Sequence, residues 1–190
     1  KGWDLKAKGS VVPFPAHQQW VYGVGVKADG TAGFSVGADK QLRTWKPNGE
    51  GKQVKNAGGH NDDVFKVVFN PKQPLLATSS ADRTTTLWDA ATGEQKFVLR
   101  GHREDVNCAS FSPDGRRVIT GSSEDLSIIW DVATGKRITP TGRHSNNVHS
   151  AAFTPDGRRV ITGEREELVM MWDSATGAHA RTFVGHSAEI

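Results

Sequence analysis

Residues 101–135 read GHREDVNCASFSPDGRRVITGSSEDLSIIWDVATG. The stretch opens on Gly-His, splits two short apolar runs with Pro113-Asp114-Gly115, reaches Trp130-Asp131 and turns again at Ala133-Thr134-Gly135. Working outward, the same order of residues returns along the whole chain. Histidines stand at 17, 60, 102, 144 and 186, with spacings of 43, 42, 42 and 42. Tryptophans stand at 3, 45, 88, 130 and 172, with spacings of 42, 43, 42 and 42. Two residue types locked to one period define a repeat, which must be read before local propensity.

Each unit predicts four short strands. After the histidine, apolar residues alternate (Val21, Val24 and Val26; Phe65, Val67 and Phe69; Ala109 and Phe111; Ala151 and Phe153), the period of a strand with one face buried. Asp-Gly then supplies the positive φ of a tight turn at Ala28-Asp29-Gly30, Pro113-Asp114-Gly115 and Pro155-Asp156-Gly157. Pro71-Lys72-Gln73-Pro74 has no glycine, so a different turn is expected there. Second strands follow at 75–79, 118–121 and 160–163, and third strands end on the tryptophans. Ala-Thr-Gly turns at 91–93, 133–135 and 175–177 lead into fourth strands such as 94–99.

Four strands per 42 residues, with Gly-His near the start and Trp-Asp near the end, resemble the WD-repeat β-propeller family across essentially the whole chain. The resemblance implies an all-β fold: a β-propeller with four complete four-stranded antiparallel blades at 17–59, 60–101, 102–143 and 144–185. Partial blades are expected at 1–16 and 186–190, so the chain reads as a fragment of a seven-bladed propeller. The near-identity of SPDGRRVITG and TPDGRRVITG in the third and fourth units looks like bacterial members of the family.

The resemblance also implies a buried Trp, Ser/Thr, His and carboxylate tetrad in each blade. A histidine ring can donate from one nitrogen and accept on the other, bridging a carboxylate to a hydroxyl that accepts the indole N–H. His17, Ser35, Asp39 and Trp45 fit, as do His60, Thr78, Asp82 and Trp88. The third and fourth units keep His102, Thr120 and Trp130, and His144, Thr162 and Trp172, but carry Glu124 and Glu166 at the carboxylate position. Glutamate is one methylene longer, so either the turn relaxes or the bond changes. Asp125 and Glu167, one residue later, are alternatives.

Composition narrows the function. The 190 residues have net charge +3, unevenly spread: residues 1–56 hold nine Lys/Arg against four Asp/Glu, and the rest is slightly acidic. Scattered solubilising lysines explain this better than a nucleic-acid surface, which leaves nucleic acid the least favoured partner. No apolar run is long enough to cross a bilayer as a helix. The start, Lys1-Gly2-Trp3-Asp4, shows no signal-peptide pattern. A cytoplasmic location is slightly favoured, with export left open because the N-terminus looks cut. Cys108 stands alone amid apolar neighbours, which predicts a buried small hydrophobe. Histidines one per blade are too far apart to share a metal. Gly23-Val24-Gly25 is no dinucleotide loop, and no nucleophile elbow or Walker loop is present. The reading is a non-enzyme with no metal and no cofactor.

By resemblance, partners dock where the innermost strands reach the rim, three and five residues after each histidine and one before the turn carboxylate. Those positions are Trp20, Tyr22 and Ala38, then Asp63, Phe65 and Ala81, then Asp105, Asn107 and Ser123, then Asn147, His149 and Arg165, and the candidates among them are Trp20, Tyr22, Asp63, Phe65, Asp105, Asn107, His149 and Arg165. Trp20 is the one tryptophan off the 42-residue lattice, and Tyr22 is the sole tyrosine. Aromatics beside carboxylates suit a Lys or Arg side chain through cation–π and charge pairing. The competing reading has Tyr22 and Phe65 opening the buried stripe of their strands. The function expected is a protein–protein interaction scaffold binding a protein or peptide with a basic residue. The second reading is a sensory or docking propeller of a larger enzyme. Oligomeric state is left open.

Overall fold

A computed structural model describes residues 2–4, 9–12, 17–27, 30–45, 59–165 and 168–184. Strands β1 (Gly2–Asp4) and β2 (Gly9–Val12) pair antiparallel. A three-stranded antiparallel sheet follows, made of β3 (Val21–Val26), β4 (Gly33–Gly37) and β5 (Leu42–Trp45). The fourth strand expected for this unit falls within residues 46–58, outside the described residues. The turn residues Ala28 and Asp29, Glu166, Glu167, the side chains of residues 1–16 and of Trp45, and the stub at 186–190 also lie outside them.

Three four-stranded antiparallel sheets complete the fold. The second sheet is β6 (Val64–Phe69), β7 (Leu75–Ser80), β8 (Thr84–Asp89) and β9 (Gln95–Arg100). The third is β10 (Val106–Phe111), β11 (Arg117–Ser122), β12 (Ser127–Asp131) and β13 (Arg137–Pro140). The fourth is β14 (Val148–Phe153), β15 (Arg159–Glu164), β16 (Leu168–Asp173) and β17 (His179–Val184). Each sheet runs in chain order, so every connection is a hairpin.

The core lies between consecutive sheets. Phe34, Val36 and Leu42 of the first sheet pack on Val64, Val67, Leu76 and Trp88 of the second. Ala77, Leu87 and Leu99 of the second meet Ala109, Phe111, Val118, Ile128 and Trp130 of the third. Ile119 and Ile129 of the third meet Val160 and Trp172 of the fourth. Successive side chains of a strand point to opposite faces. Val118 therefore faces the second sheet and its neighbour Ile119 the fourth, and both are fully buried. That is why the middle strands β7, β8, β11 and β12 are buried almost end to end, on both faces.

The turns follow their sequences. Gly115 and Gly157 hold φ near +70°, as the Asp-Gly turns require. The Pro71–Pro74 turn works by another device: the Asn70 side-chain oxygen accepts the N–H groups of Lys72 and Gln73, and its amide donates to the Gly115 carbonyl of the third sheet at 2.7 Å. Among the described residues, three besides glycine, Lys40, Arg83 and Asp125, also adopt positive φ, each directly after a turn carboxylate.

Every innermost strand carries a bulge at the same place. The pairing of β3, β6, β10 and β14 skips one residue, between Val21 and Gly23, Val64 and Lys66, Val106 and Cys108, and Val148 and Ser150. The skipped residues are Tyr22, Phe65, Asn107 and His149. A bulge leaves its extra residue outside the ladder and re-aims its side chain.

Candidate functional site

Two constellations stand at the end of the sheets where these bulges lie. The first is the set of histidine-centred relays. His17 and His60 meet Asp39 and Asp82 through Nδ1 at 2.7 and 2.9 Å. Through Nε2 they meet the hydroxyls of Ser35 and Thr78 at 2.8 and 2.7 Å. Trp88 Nε1 donates to Thr78 at 2.7 Å and closes the chain of bonds. The third sheet has the same relay with glutamate: His102 Nδ1 lies 2.7 Å from Glu124, Nε2 lies 2.8 Å from Thr120, and Trp130 donates to Thr120 at 2.8 Å. The extra methylene is absorbed without loss of the bond.

Burial works to raise the Asp82 carboxyl, but bonds from His60, Thr84 and the Asn61 N–H outweigh it and hold it well below the usual carboxylate range. The His102 pKa is lowered as well, but here burial is the cause rather than the opposing effect, acting against the pull of Glu124.

The fourth unit departs from the expected tetrad. The carboxylate on His144 is Glu164, with Nδ1 to Oε1 at 3.0 Å, and both side chains are fully buried. Glu164 sits at the end of β15, opposite Val148, where Ser122 and Ser80 stand opposite Val106 and Val64. Its second oxygen accepts the N–H and the hydroxyl of Ser145. His144 Nε2 meets Ser127 and Thr141 of the preceding unit, at 3.1 and 3.2 Å, rather than Thr162. The local reason is a displaced glycine. Gly59 and Gly101 directly precede their histidines, and a Cβ on either would press into the indole of Trp88 or Trp130. In the fourth unit Gly142 takes that place against Trp172, and Arg143 intervenes before His144.

The second constellation is the rim. The Trp20 carbonyl is pinned by the Ala38 N–H at 2.9 Å, while its side chain is 78% exposed. Tyr22, 43% exposed, reaches from the first sheet to the second. Its hydroxyl donates to Asp63 at 3.2 Å, and its ring meets Phe65 edge-on with centroids 5.7 Å apart. Neither ring belongs to a core cluster, because the bulge takes both out of the buried stripe. Partial desolvation and the Asp63 carboxylate push the Tyr22 hydroxyl up.

Asp105 stands beside Glu104 and Asp62, with Arg83 in reach as the opposing cation. Desolvation first, then Glu104 and Asp62, raise its carboxyl. Asn107 donates to Ser123 at 3.1 Å and to the Val148 carbonyl at 3.1 Å, so it bridges the third and fourth sheets. His149 and Arg165 are exposed on the fourth sheet.

The structure thus brings Tyr22, Asp63 and Phe65 into contact, and it engages Asn107 inside the fold. Asp62 and Glu104 were not among the expected site residues. Their signal was visible as acidic pairs, Asp62-Asp63 and Glu104-Asp105, two and three residues after consecutive histidines. Burial pushes the Cys108 thiol up to about 12, which leaves no reactive thiolate. Among the described residues, no group of three or more His, Cys, Asp or Glu side chains is placed to hold a metal ion.

Antiparallel four-stranded sheets stacked face to face, each keyed by a buried histidine relay, define a β-propeller type of repeat. The chain matches the WD domain, G-beta repeat family at residues 51–89, 93–131 and 135–173, more than half its length, and belongs to that family. It is similar to eukaryotic translation initiation factor 3 subunit I of Aspergillus oryzae, 35% identical over 78 residues that cover 41% of this chain and 23% of that protein. It is also similar to THO complex subunit 3 of Arabidopsis thaliana, 33% identical over 85 residues, 43% of this chain and 27% of that one. The chain thus aligns with about a quarter of each relative. Both are eukaryotic proteins, so these matches do not carry the bacterial likeness expected from the SPDGRRVITG repeat.

Proposed function

We propose that this chain is a non-catalytic scaffold that binds a protein segment bearing a basic residue at the bulged rim of its first three sheets. The observation that carries the reading is the Tyr22–Phe65 pair held beside Asp63, in a rim where Asp105 feels the charges of Asp62 and Glu104. The exposed Tyr22 and half-buried Phe65 already hold each other edge-on, and the Tyr22 hydroxyl is tied to Asp63, so less ordering entropy is left to lose on binding, the character of an interface hot spot. The surrounding carboxylates favour a cationic side chain over an anionic one. The similar proteins are named as subunits, which supports a role within an assembly. The family resemblance further suggests that the sheets belong to a seven-bladed ring.

The test is a panel of peptides identical except for Arg, Lys, Gln or Glu at one central position, titrated against the chain by fluorescence anisotropy. Arg or Lys peptides should bind best, and Phe65→Ala and Asp105→Asn should each weaken them about tenfold or more. Equal affinity for the Glu peptide, or unchanged affinity in both variants, would reject the proposal.

A further inference from the structure

We propose that His144 is a latch between the third and fourth sheets, and that the hydroxyls of Ser127 and Thr141 select its position. The histidines of the first three sheets bond a hydroxyl of their own sheet, Ser35, Thr78 or Thr120. His144 instead reaches back to Ser127, the first residue of β12, and to Thr141, just past β13. Those two hydroxyls lie 2.6 Å apart, and the Thr141 N–H donates to the Ser127 carbonyl at 3.0 Å. With Nδ1–H donating to Glu164, Nε2 is the acceptor of a hydroxyl proton. A polar chain therefore crosses the joint: Thr141, Ser127, His144, Glu164, Ser145.

The residue the histidine leaves is still satisfied. Thr162 accepts the Trp172 indole N–H at 2.9 Å and faces the Met170 carbonyl at 3.5 Å. The ring has moved accordingly. Its centroid lies 4.8 Å from that of Trp172, against 6.2 and 6.3 Å for the His60–Trp88 and His102–Trp130 pairs.

The joint between the second and third sheets shows why His102 behaves differently. Thr85 stands where Ser127 does, but its partner across the ladder is Leu99, where the fourth unit's latch has Thr141. One hydroxyl without its neighbour makes no such chain. The Thr85 hydroxyl is buried with no partner, and His102 stays on Thr120. The apolar layer also differs. Four buried residues form the core cluster between the third and fourth sheets, against nine between the second and third. A polar latch thus carries a larger share of the third joint. It fixes the sheet that presents His149 and Arg165.

The experiment reads the histidine Nε2 resonances by long-range nitrogen–proton NMR in the intact chain. Thr162→Val should leave the His144 Nε2 shift in place, while Thr120→Val moves that of His102. Ser127→Ala should move His144, and Thr141→Leu should send it toward the shift His102 shows in the unsubstituted chain. Native-state hydrogen exchange should then speed up about tenfold in β14 and β15 of the Ser127→Ala chain, with β6–β9 unchanged. A His144 shift that follows Thr162→Val and ignores Thr141→Leu would overturn the latch. If Ser127→Ala does not fold, the Thr162→Val and Thr141→Leu pair still decides.

Discussion

Glu164 accepts the Nδ1 proton of His144 at 3.0 Å from the end of a strand, whereas Asp82 reaches His60 from the following turn. The same chemical need is met from two different backbone positions. Replacing Glu164 by Ala strands the Nδ1–H of the buried His144 ring and removes the acceptor of both Ser145 donors. Burial favours the neutral His144 ring, and leaving such a buried donor without its acceptor costs about 1–3 kcal/mol. Urea denaturation should show a loss of that size for Glu164→Ala, and a distinctly smaller one for Glu164→Gln, which retains a hydrogen-bonding oxygen.

Acid should destabilise the chain in two stages. Burial depresses the His102 and His144 pKa values below 6.5, so the unfolded chain takes up protons first and stability falls as pH drops below that value. Glu124 opposes this at His102, where Arg137 adds to it; Glu164 and Asp125 oppose it at His144. Asp39 and Asp82 are also depressed, so the stability they add is present above pH 3.8 and is lost as pH falls below it. Urea midpoints from pH 8 to 3 should show both stages, and Asp82→Asn should diminish the lower one. A flat profile between pH 7 and 5 would contradict the histidine assignment.

Gly115 and Gly93 share a positive φ but not their surroundings. A Cβ on Gly93 meets nothing within 4 Å, while one on Gly115 would drive into the Asn70 side-chain oxygen. Gly93→Ala should cost about 1–2 kcal/mol from backbone strain alone. Gly115→Ala should cost more, because it also disturbs the Asn70 amide bond to the Gly115 carbonyl. Equal denaturation midpoints for the two would refute the steric argument.

Arg117 clasps the fourth sheet from the third. It donates to the Gly157 carbonyl at 2.8 Å and to the carbonyl and hydroxyl of Ser174 at 3.2 and 3.0 Å, with its guanidinium 5.2 Å from the Phe153 ring centroid. Lysine cannot reproduce that fork or its stacking. Arg117→Lys should therefore lower the melting temperature nearly as far as Arg117→Ala.

Trp20→Ala should leave stability within about 0.5 kcal/mol, since the ring is largely in water. It should still weaken binding of the Arg peptide. A large stability loss would mean that the ring is a packing element instead.

The period, the strands and most turns were legible because each unit solves the same packing problem, with one histidine, one hydroxyl and one tryptophan at fixed spacing. The fourth unit's carboxylate was not legible from alignment alone. Glu166 occupies the aligned slot, but Glu164 is the residue that meets the histidine. Gly142-Arg143-His144 carried the clue, since separating glycine from histidine moves the ring relative to the indole. The bulges were hidden for another reason. Alternation reads one face per residue, and a skipped residue has no face, so alternation alone drew Tyr22 and Phe65 toward the buried stripe.

The left-handed residues Lys40, Arg83 and Asp125 give the rim its own rule of variation. Their backbone disfavours β-branched side chains yet is indifferent to charge sign, as Lys, Arg and Asp show by occupying it in turn. Valine or isoleucine at these points would strain the turn that presents the neighbouring carboxylate to its histidine. The rim can therefore be recoloured electrostatically, sheet by sheet, within one turn geometry, with the charge contacts of these side chains (Lys40 with Asp62, Asp125 with His144) exchanged at the same time, which makes these three positions the natural handles for redirecting the surface toward a partner of different charge.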